Sequence, residues 1–325
     1  MHSSGTIPLR RVSVLVIDAD AAYIARELMA AVPTLDVSAA ASADACEIDL
    51  SHVAGLISLG RLIGNPLIEK MPKLRWLQFL TSGTDKVAQL TSLSSDAVVT
   101  SAHGVHGPAV SEMAVAMMLA LGRGLPSILE NQRAHRWERR PQPLLCGKTV
   151  VVLGTGLIAQ ALAVRCRAFG MSTIGVSSSP RDIAGFDRVM ARGELGSAAR
   201  LADFFVVLVP LSADTRGLVN RSVFESMKPR AFFLNLARGP VCVEEDLLRA
   251  LTSGRIAGAG LDVFEVEPLP ADHALWDLPN VIATPHIAGE SDRYADQVLP
   301  LLVANARSFG QNKFDEMLNV VRGPG

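Results

Sequence analysis

Short runs of β-branched and aliphatic residues alternate along this chain with longer helix-compatible stretches. Val12–Ile17 (VSVLVI) is apolar at nearly every position and ends at Asp18, the pattern of a strand buried on both faces of a parallel sheet. Apolar runs of the same kind recur at Val53–Leu59, Leu74–Leu80 and Val98–Thr100. From Ser111 the period lengthens to that of a long helix, SEMAVAMMLALGR, with Glu112 in its first turn and Gly122 and Gly124 at its end; a hinge is expected near its start. After the polar, Pro-containing Arg139–Pro143 a second strand–helix series begins: TVVVLG, STIGVS, FFVVLVP, AFFLNLA, AGAGLDVF and NVIATPH. A last helix over Ser291–Ser308 places Val298, Leu301, Leu302 and Ala306 on one face.

Two such series predict an α/β protein of two doubly wound parallel-sheet domains, Rossmann-like or flavodoxin-like. The length of 325 residues agrees, since it exceeds what one core usually holds. In sheets of this kind ligands bind beyond the carboxyl ends of the strands, so the residues that follow the strands carry the candidate chemistry.

Composition narrows the partners. With 49% hydrophobic and 19% charged residues and a net charge of −1, the chain has no clustered basic excess with which to hold a nucleic acid, and Arg139–Arg140 is only a short basic spot. Cys46, Cys146, Cys166 and Cys242 show no metal-ligand spacing, so no metal is expected and buried free thiols are, as suits a reducing compartment. Arg10 and Arg11 precede an apolar run that Asp18 and Asp20 soon interrupt, and Met113–Leu121 is too short to cross a bilayer; a cytoplasmic protein without membrane contact is expected.

Gly154-Thr155-Gly156-Leu157-Ile158-Ala159 follows one expected strand and opens a helix, which is the context that makes G-x-G-x-x-G/A a dinucleotide fingerprint. Gly154 permits the tight turn, Gly156 lets backbone approach a pyrophosphate, and Ala159 lets helix pack on strand. An NAD site usually carries an acid at the end of the next strand, where it would bond the ribose hydroxyls. Ser177 stands there, followed by Ser178, Ser179, Pro180 and Arg181; hydroxyls and a guanidinium suit a 2′-phosphate that a carboxylate would repel. NADP(H) is therefore expected as the preferred cofactor, with NAD(H) possible.

Arg238 follows AFFLNLA, Glu267 follows AGAGLDVF, and His286 ends NVIATPH. Reduction of a 2-oxo acid needs a cation for the carboxylate and carbonyl, and an acid to protonate the alkoxide. Arg238 offers a planar fork for the first task. For the second, His286 beside Glu267 would be a competent acid, because a neighbouring carboxylate favours the imidazolium and fixes the tautomer. His103, His106 and His135 are read as structural or surface residues.

LNLARGPVCVEEDLLRAL, GLDVFEVEPLP and TPHIAG resemble the signature blocks of the D-isomer-specific 2-hydroxyacid dehydrogenase family, and the likeness extends over nearly the whole chain, including Val209–Asn220 and Leu275–Val281. The resemblance implies a substrate domain (1–110 with 290–325) interrupted by a dinucleotide-binding domain (111–289), with the active site in the interdomain cleft. It gives Arg238, Glu267 and His286 the roles above. It also implies that Ser82 and Gly83, in the loop Thr81–Val87, bind the substrate carboxylate through backbone N–H groups, and that Asp262 bonds the nicotinamide carboxamide. Pro210 is implied to line the cofactor groove, and Thr215 and Ala237 are counted with it. Trp137 lies where related reductases carry a tryptophan near a dimer contact, so a homodimer is expected. The substrate expected is a small 2-oxo or 2-hydroxy acid of the glyoxylate/hydroxypyruvate type. Other 2-hydroxy acids, such as phosphoglycerate, remain open alternatives, as does a dinucleotide-sensing corepressor-like role.

Overall fold

In a computed structural model, which describes residues 11–323, the run Val12–Ile17 forms β1 and its last four residues are fully buried. The described chain divides into two units: one ends at Val105 and resumes at Ser291, and the other is His106–Glu290. In the first, β1 is joined by β2 (Leu35–Ala40), β3 (Gly55–Ser58), β4 (Trp76–Phe79) and β5 (Val98–Thr100), parallel in the order β2-β1-β3-β4-β5. Because side chains alternate along a strand, the sheet feeds two cores. Val14, Val16, Trp76 and Val98 pack with the helices Ala21–Ala31 and Tyr294–Gly310, whereas Leu15, Ile17, Leu77 and Val99 pack with Leu67 and Ile68 of the short helix Asn65–Ile68.

The second unit contains β6 (Thr149–Leu153), β7 (Ser172–Ser177), β8 (Arg188–Ala191), β9 (Phe204–Val207), β10 (Phe232–Asn235), β11 (Gly258–Leu261) and β12 (Val281–Ala283). All are parallel, in the order β12-β11-β10-β9-β6-β7-β8. The direction of winding reverses where β6 lies between β7 and β9, which is where such a sheet opens a ligand crevice. Helices Gly107–Gly122 and Leu157–Ala168 cover one face, with Met118 and Leu162 in one core with Val150 of β6, and helices Leu195–Leu201, Arg221–Ser226 and Glu244–Thr252 cover the other.

The chain then returns to the first unit, where β13 (Val320–Arg322) pairs antiparallel with β5. A buried polar network ties this return to the sheet. Trp76 Nε1 donates to Thr100 Oγ1 (2.9 Å), and Thr100 Oγ1 donates to Gln78 Oε1 (2.7 Å). Asn305 Nδ2 donates to the same Gln78 oxygen and to Leu318 O, while its own Oδ1 accepts from Leu318 N–H.

The structure departs from the sequence expectation in several places. The strands β2, β8 and β13 had no apolar run to announce them. The long helix begins at Gly107 rather than Ser111: Pro108 occupies the first turn, where its missing N–H costs nothing, and Ser111 lies inside, donating to Gly107 O (2.6 Å). The last helix is Tyr294–Gly310. The cysteines are free, but only Cys166 and Cys242 are buried; Cys46 is half-buried and Cys146 exposed. Among the described residues no single helix is long and apolar enough to cross a membrane.

Candidate active site

The glycine loop lies at the β6 edge of the reversal point. Gly154 adopts φ +104°, closed to ordinary side chains, and a Cβ there would come within 2.8 Å of Leu208 O. Gly156 has nothing within 4 Å of where a Cβ would stand. It precedes the helix Leu157–Ala168, whose first turn no side chain caps, so its orphan N–H groups and dipole are left for an anion. Ala159 is buried under the loop, Leu157 and Ile158 begin the helix, and Thr155 O accepts from Gln160 Nε2 (3.0 Å). These features fit a dinucleotide pyrophosphate.

At the end of β7, half-buried Ser177 accepts from Ser179 N–H (3.2 Å), and Ser178 and Arg181 are exposed. No carboxylate stands among residues 177–181. After β9, Pro210 is exposed and its carbonyl accepts from Thr215 Oγ1 (2.7 Å), which in turn accepts from Ser212 N–H (2.8 Å); the Thr215 hydroxyl is thus engaged in folding this loop.

The structure brings Glu267 and His286 together. His286 Nδ1 lies 2.7 Å from Glu267 Oε2, so the ring donates through Nδ1–H and leaves Nε2 for another partner. Glu267 Oε1 accepts from Phe264 N–H (3.0 Å). Partial burial pushes the Glu267 carboxyl up, but the bonds from His286 and Phe264 N–H, with the charges of His286 and Arg238, outweigh it and hold the group below its usual value. Arg238 is half-buried, and its Nη1 donates to Ala237 O (2.7 Å). The couple remains reachable, with side-chain exposures of 45% for His286 and 36% for Glu267.

His286 and Arg238 each stand on a turn that another side chain holds. His286 has φ +55°, a conformation costing a non-glycine residue about 1 kcal/mol or more. Asp262, 1% exposed, compensates: its Oδ1 accepts from Thr284 Oγ1 (2.6 Å) and Ile287 N–H (2.9 Å), and its Oδ2 accepts from Ala288 N–H (2.9 Å). The residues it binds flank His286 on both sides, a role the sequence reading did not give it. Asn235, also absent from that reading, donates through Nδ2 to Arg238 O (3.0 Å) and accepts from Ala237 N–H (3.1 Å), closing the turn that carries Arg238. A buried amide at the end of a strand, just before a candidate arginine, was its one sequence signal. A Cβ on Gly239 would overlap the Phe264 carbonyl, so glycine is what lets the Arg238 turn and the Glu267 loop meet.

In the first unit, Ser82 and Gly83 follow β4. Thr81 Oγ1 donates to Gly83 O (2.9 Å), Ser82 Oγ donates to Ala102 O (3.3 Å), and Tyr294 Oη fixes the preceding Leu80 carbonyl (2.6 Å). Among the described residues no three His, Cys, Asp or Glu side chains converge as metal ligands would.

Residues 115–288 match the family described as D-isomer specific 2-hydroxyacid dehydrogenase, NAD binding domain. Over 273 residues the chain is 33% identical to glyoxylate/hydroxypyruvate reductase B of Salmonella gallinarum, covering 81% of this chain and 83% of that protein. Its fold is similar to the crystal structure of a D-isomer specific 2-hydroxyacid dehydrogenase family protein of Aeromonas salmonicida, with 35% identity, coverage of 96% and 99%, and a TM-score of 0.87. It is also similar to an NADPH-dependent glyoxylate/hydroxypyruvate reductase of Sinorhizobium meliloti, solved with NADP and sulfate, at 29% identity, coverage of 96% and 98%, and a TM-score of 0.82.

Proposed function

The chain belongs to the D-isomer specific 2-hydroxyacid dehydrogenase family and is an NAD(P)-dependent oxidoreductase, and from that premise we propose that it reduces glyoxylate and hydroxypyruvate, preferring NADPH. The observation that carries the reading is the 2.7 Å contact between His286 and Glu267 on adjoining loops at the carboxyl ends of the strands. When bound, the reduced nicotinamide supplies the hydride that arrives at C2 of the oxo acid. Arg238 holds the substrate carboxylate and polarises the carbonyl. His286, protonated and turned by Glu267 so that Nε2 faces the substrate, gives its proton to the carbonyl oxygen as negative charge develops there. Glu267 stays anionic and stabilises the imidazolium before transfer. The Ser82–Gly83 backbone is a further ligand for the carboxylate.

Gly154, Gly156 and the first turn at Leu157 and Ile158 take the pyrophosphate, with Thr155, Pro210, Thr215, Ala237 and Asp262 as the remaining cofactor residues. The preference for NADPH rests on Ser177, Ser178 and Arg181, which offer donors without a carboxylate, and on relatives solved with NADPH or NADP. The protein acts in the cytoplasm as a homodimer. Support for pairing comes from the apolar side chains that the second unit leaves exposed, Leu125, Ile128, Leu129, Leu144 and above all Trp137 at 93%.

A panel of 2-oxo acids followed by nicotinamide absorbance tests the reading. Glyoxylate and hydroxypyruvate should turn over fastest, with kcat/KM higher for NADPH than NADH. The reverse cofactor order would remove the NADPH preference, and turnover confined to other oxo acids would remove the substrate assignment.

A further inference from the structure

The loop that carries Glu267 is held by a second histidine–carboxylate couple. Glu244 begins the helix Glu244–Thr252, whose first turn also contains Glu245 and Asp246, an acidic cluster suited to the positive end of the helix dipole. The three acids have separate tasks. Glu245 pairs with Arg249 (2.8 Å), and Asp246 accepts from Arg221 N–H (2.9 Å). Glu244 turns towards the loop instead: its Oε2 accepts from Glu265 N–H (3.3 Å), and its Oε1 lies 2.9 Å from His273 Nε2. Leu275 N–H donates to His273 Nδ1 (3.3 Å), which makes Nδ1 an acceptor and Nε2 the protonated nitrogen facing Glu244.

The consecutive amides of Phe264 and Glu265 are therefore taken by two different carboxylates, Glu267 on one side and Glu244 on the other. Side-chain exposures of 19% for Glu244 and 20% for His273 make this outer couple more enclosed than the inner one. An enclosed couple whose oxygens are both assigned acts on geometry, where an exposed ion pair would contribute little.

We propose that Glu244 is a positioning residue for the reaction: braced by His273, it fixes the Phe264–Glu265 peptide and thereby the angle at which Glu267 meets His286. The proposal rests on the roles given above to Glu267 and His286. Glu244→Gln offers one oxygen to two donors and turns an amide NH2 towards one of them, so the brace fails while the side chain keeps its shape.

Steady-state kinetics are measured with NADPH and whichever acid of the panel turns over fastest. Glu244→Gln should lower kcat about tenfold, with KM for the oxo acid and NADPH changed by less than about twofold. Introduced into Glu267→Gln, the same change should lower kcat no further, because a residue that acts through Glu267 has nothing left to position. His273→Asn keeps an acceptor for Leu275 N–H but withdraws the donor to Glu244; it should lower kcat about threefold in the same pattern, and it decides the matter if Glu244→Gln does not fold.

Unchanged kcat in both single variants, or an equal fall with and without Glu267, overturns the coupling alone, provided Glu267→Gln is itself slow. A normal kcat for Glu267→Gln overturns the catalytic reading and the coupling with it.

Discussion

In the first unit one buried polar network, Trp76, Gln78 and Thr100 in the sheet and Asn305 on the helix packed against it, bonds its members to one another and to main chain. In the second, Asn235 and Asp262, buried at or just past the ends of β10 and β11, hold the turns that carry Arg238 and His286, and the more exposed Glu267, on the loop after β11, bonds His286 itself. The first unit is built from both ends of the chain, and apolar contact alone does not specify where a returning segment should stop. A satisfied polar network does, because every misplacement leaves a buried donor or acceptor unpaired. The second unit is continuous in sequence, and its central strands β6, β9 and β10 bury Val151, Val206 and Phe233 without such a network. Its polar groups are available to hold a strained, reachable site. Polar burial thus serves assembly in one unit and preorganisation in the other.

The largest effect that would sharpen this contrast comes from His286→Gln, expected to lower kcat about 10²–10⁴-fold with an unchanged Tm, since it removes a proton donor but no structural bond apart from that to Glu267. Retention of kcat would break the assignment. Asp262→Asn comes next. It keeps the shape of the side chain but sets an NH2 group against main-chain N–H groups, so the Thr284–Ala288 turn should relax and kcat should fall about 10²-fold, the cost of a misplaced catalytic group. Because Asp262 is also structural, Tm should fall by several degrees, and a lower Tm with normal kcat would show that it does not position His286.

The same contrast explains what the sequence could disclose. Central strands are covered on both faces and read as unbroken apolar runs, so β1, β6, β9 and β10 were legible. The strands without a signal, β2, β8 and β13, are all edges: Leu35–Ala40 alternates between buried and exposed positions, and Val320–Arg322 is mostly exposed. The long helix was expected to start at Ser111 because a serine followed by Glu112 reads as a first turn, and the sequence does not show that this serine instead bonds back to Gly107 from inside the helix. Arg238, Glu267 and His286 could be singled out as candidates because each follows a strand whose end is visible. Glu244 and His273 could not, since they are 29 residues apart and only the path of the intervening loops brings them together.

In the first unit the corresponding test is Asn305→Leu. It strips partners from Gln78 and from both main-chain groups of Leu318, and should cost about 3 kcal/mol in chemical unfolding while leaving kcat unchanged. A near-neutral result would mean that apolar packing of the helix Tyr294–Gly310 suffices to place the return.

The smallest effect separates the units by the sign of a pH dependence. Burial raises the Asp18 carboxyl above its usual value; the charge of Asp20 adds to this, and the Asp20 N–H bond and Arg61 only partly offset it. Glu267 is held below its usual value, its burial being outweighed by His286, Phe264 N–H and Arg238. A lowered folded value means that stabilisation from Glu267 is complete above the unfolded value of about 4.3 and disappears as pH falls through the folded one. For Asp18 the order is reversed: its contribution is complete below about 3.9 and is lost as pH rises through the raised value. Urea unfolding from about pH 7 to about pH 3 should therefore show wild type more stable than Glu267→Gln at neutral pH, by less than about 1 kcal/mol because the side chain is partly exposed, with the gap closing in acid. Against Asp18→Asn, wild type should be the less stable protein at neutral pH, and that deficit should close in acid. Matching signs for the two variants would mean that both carboxylates are governed by the same balance, and would remove the distinction between a carboxyl raised by burial and one lowered by its ion-pair partner.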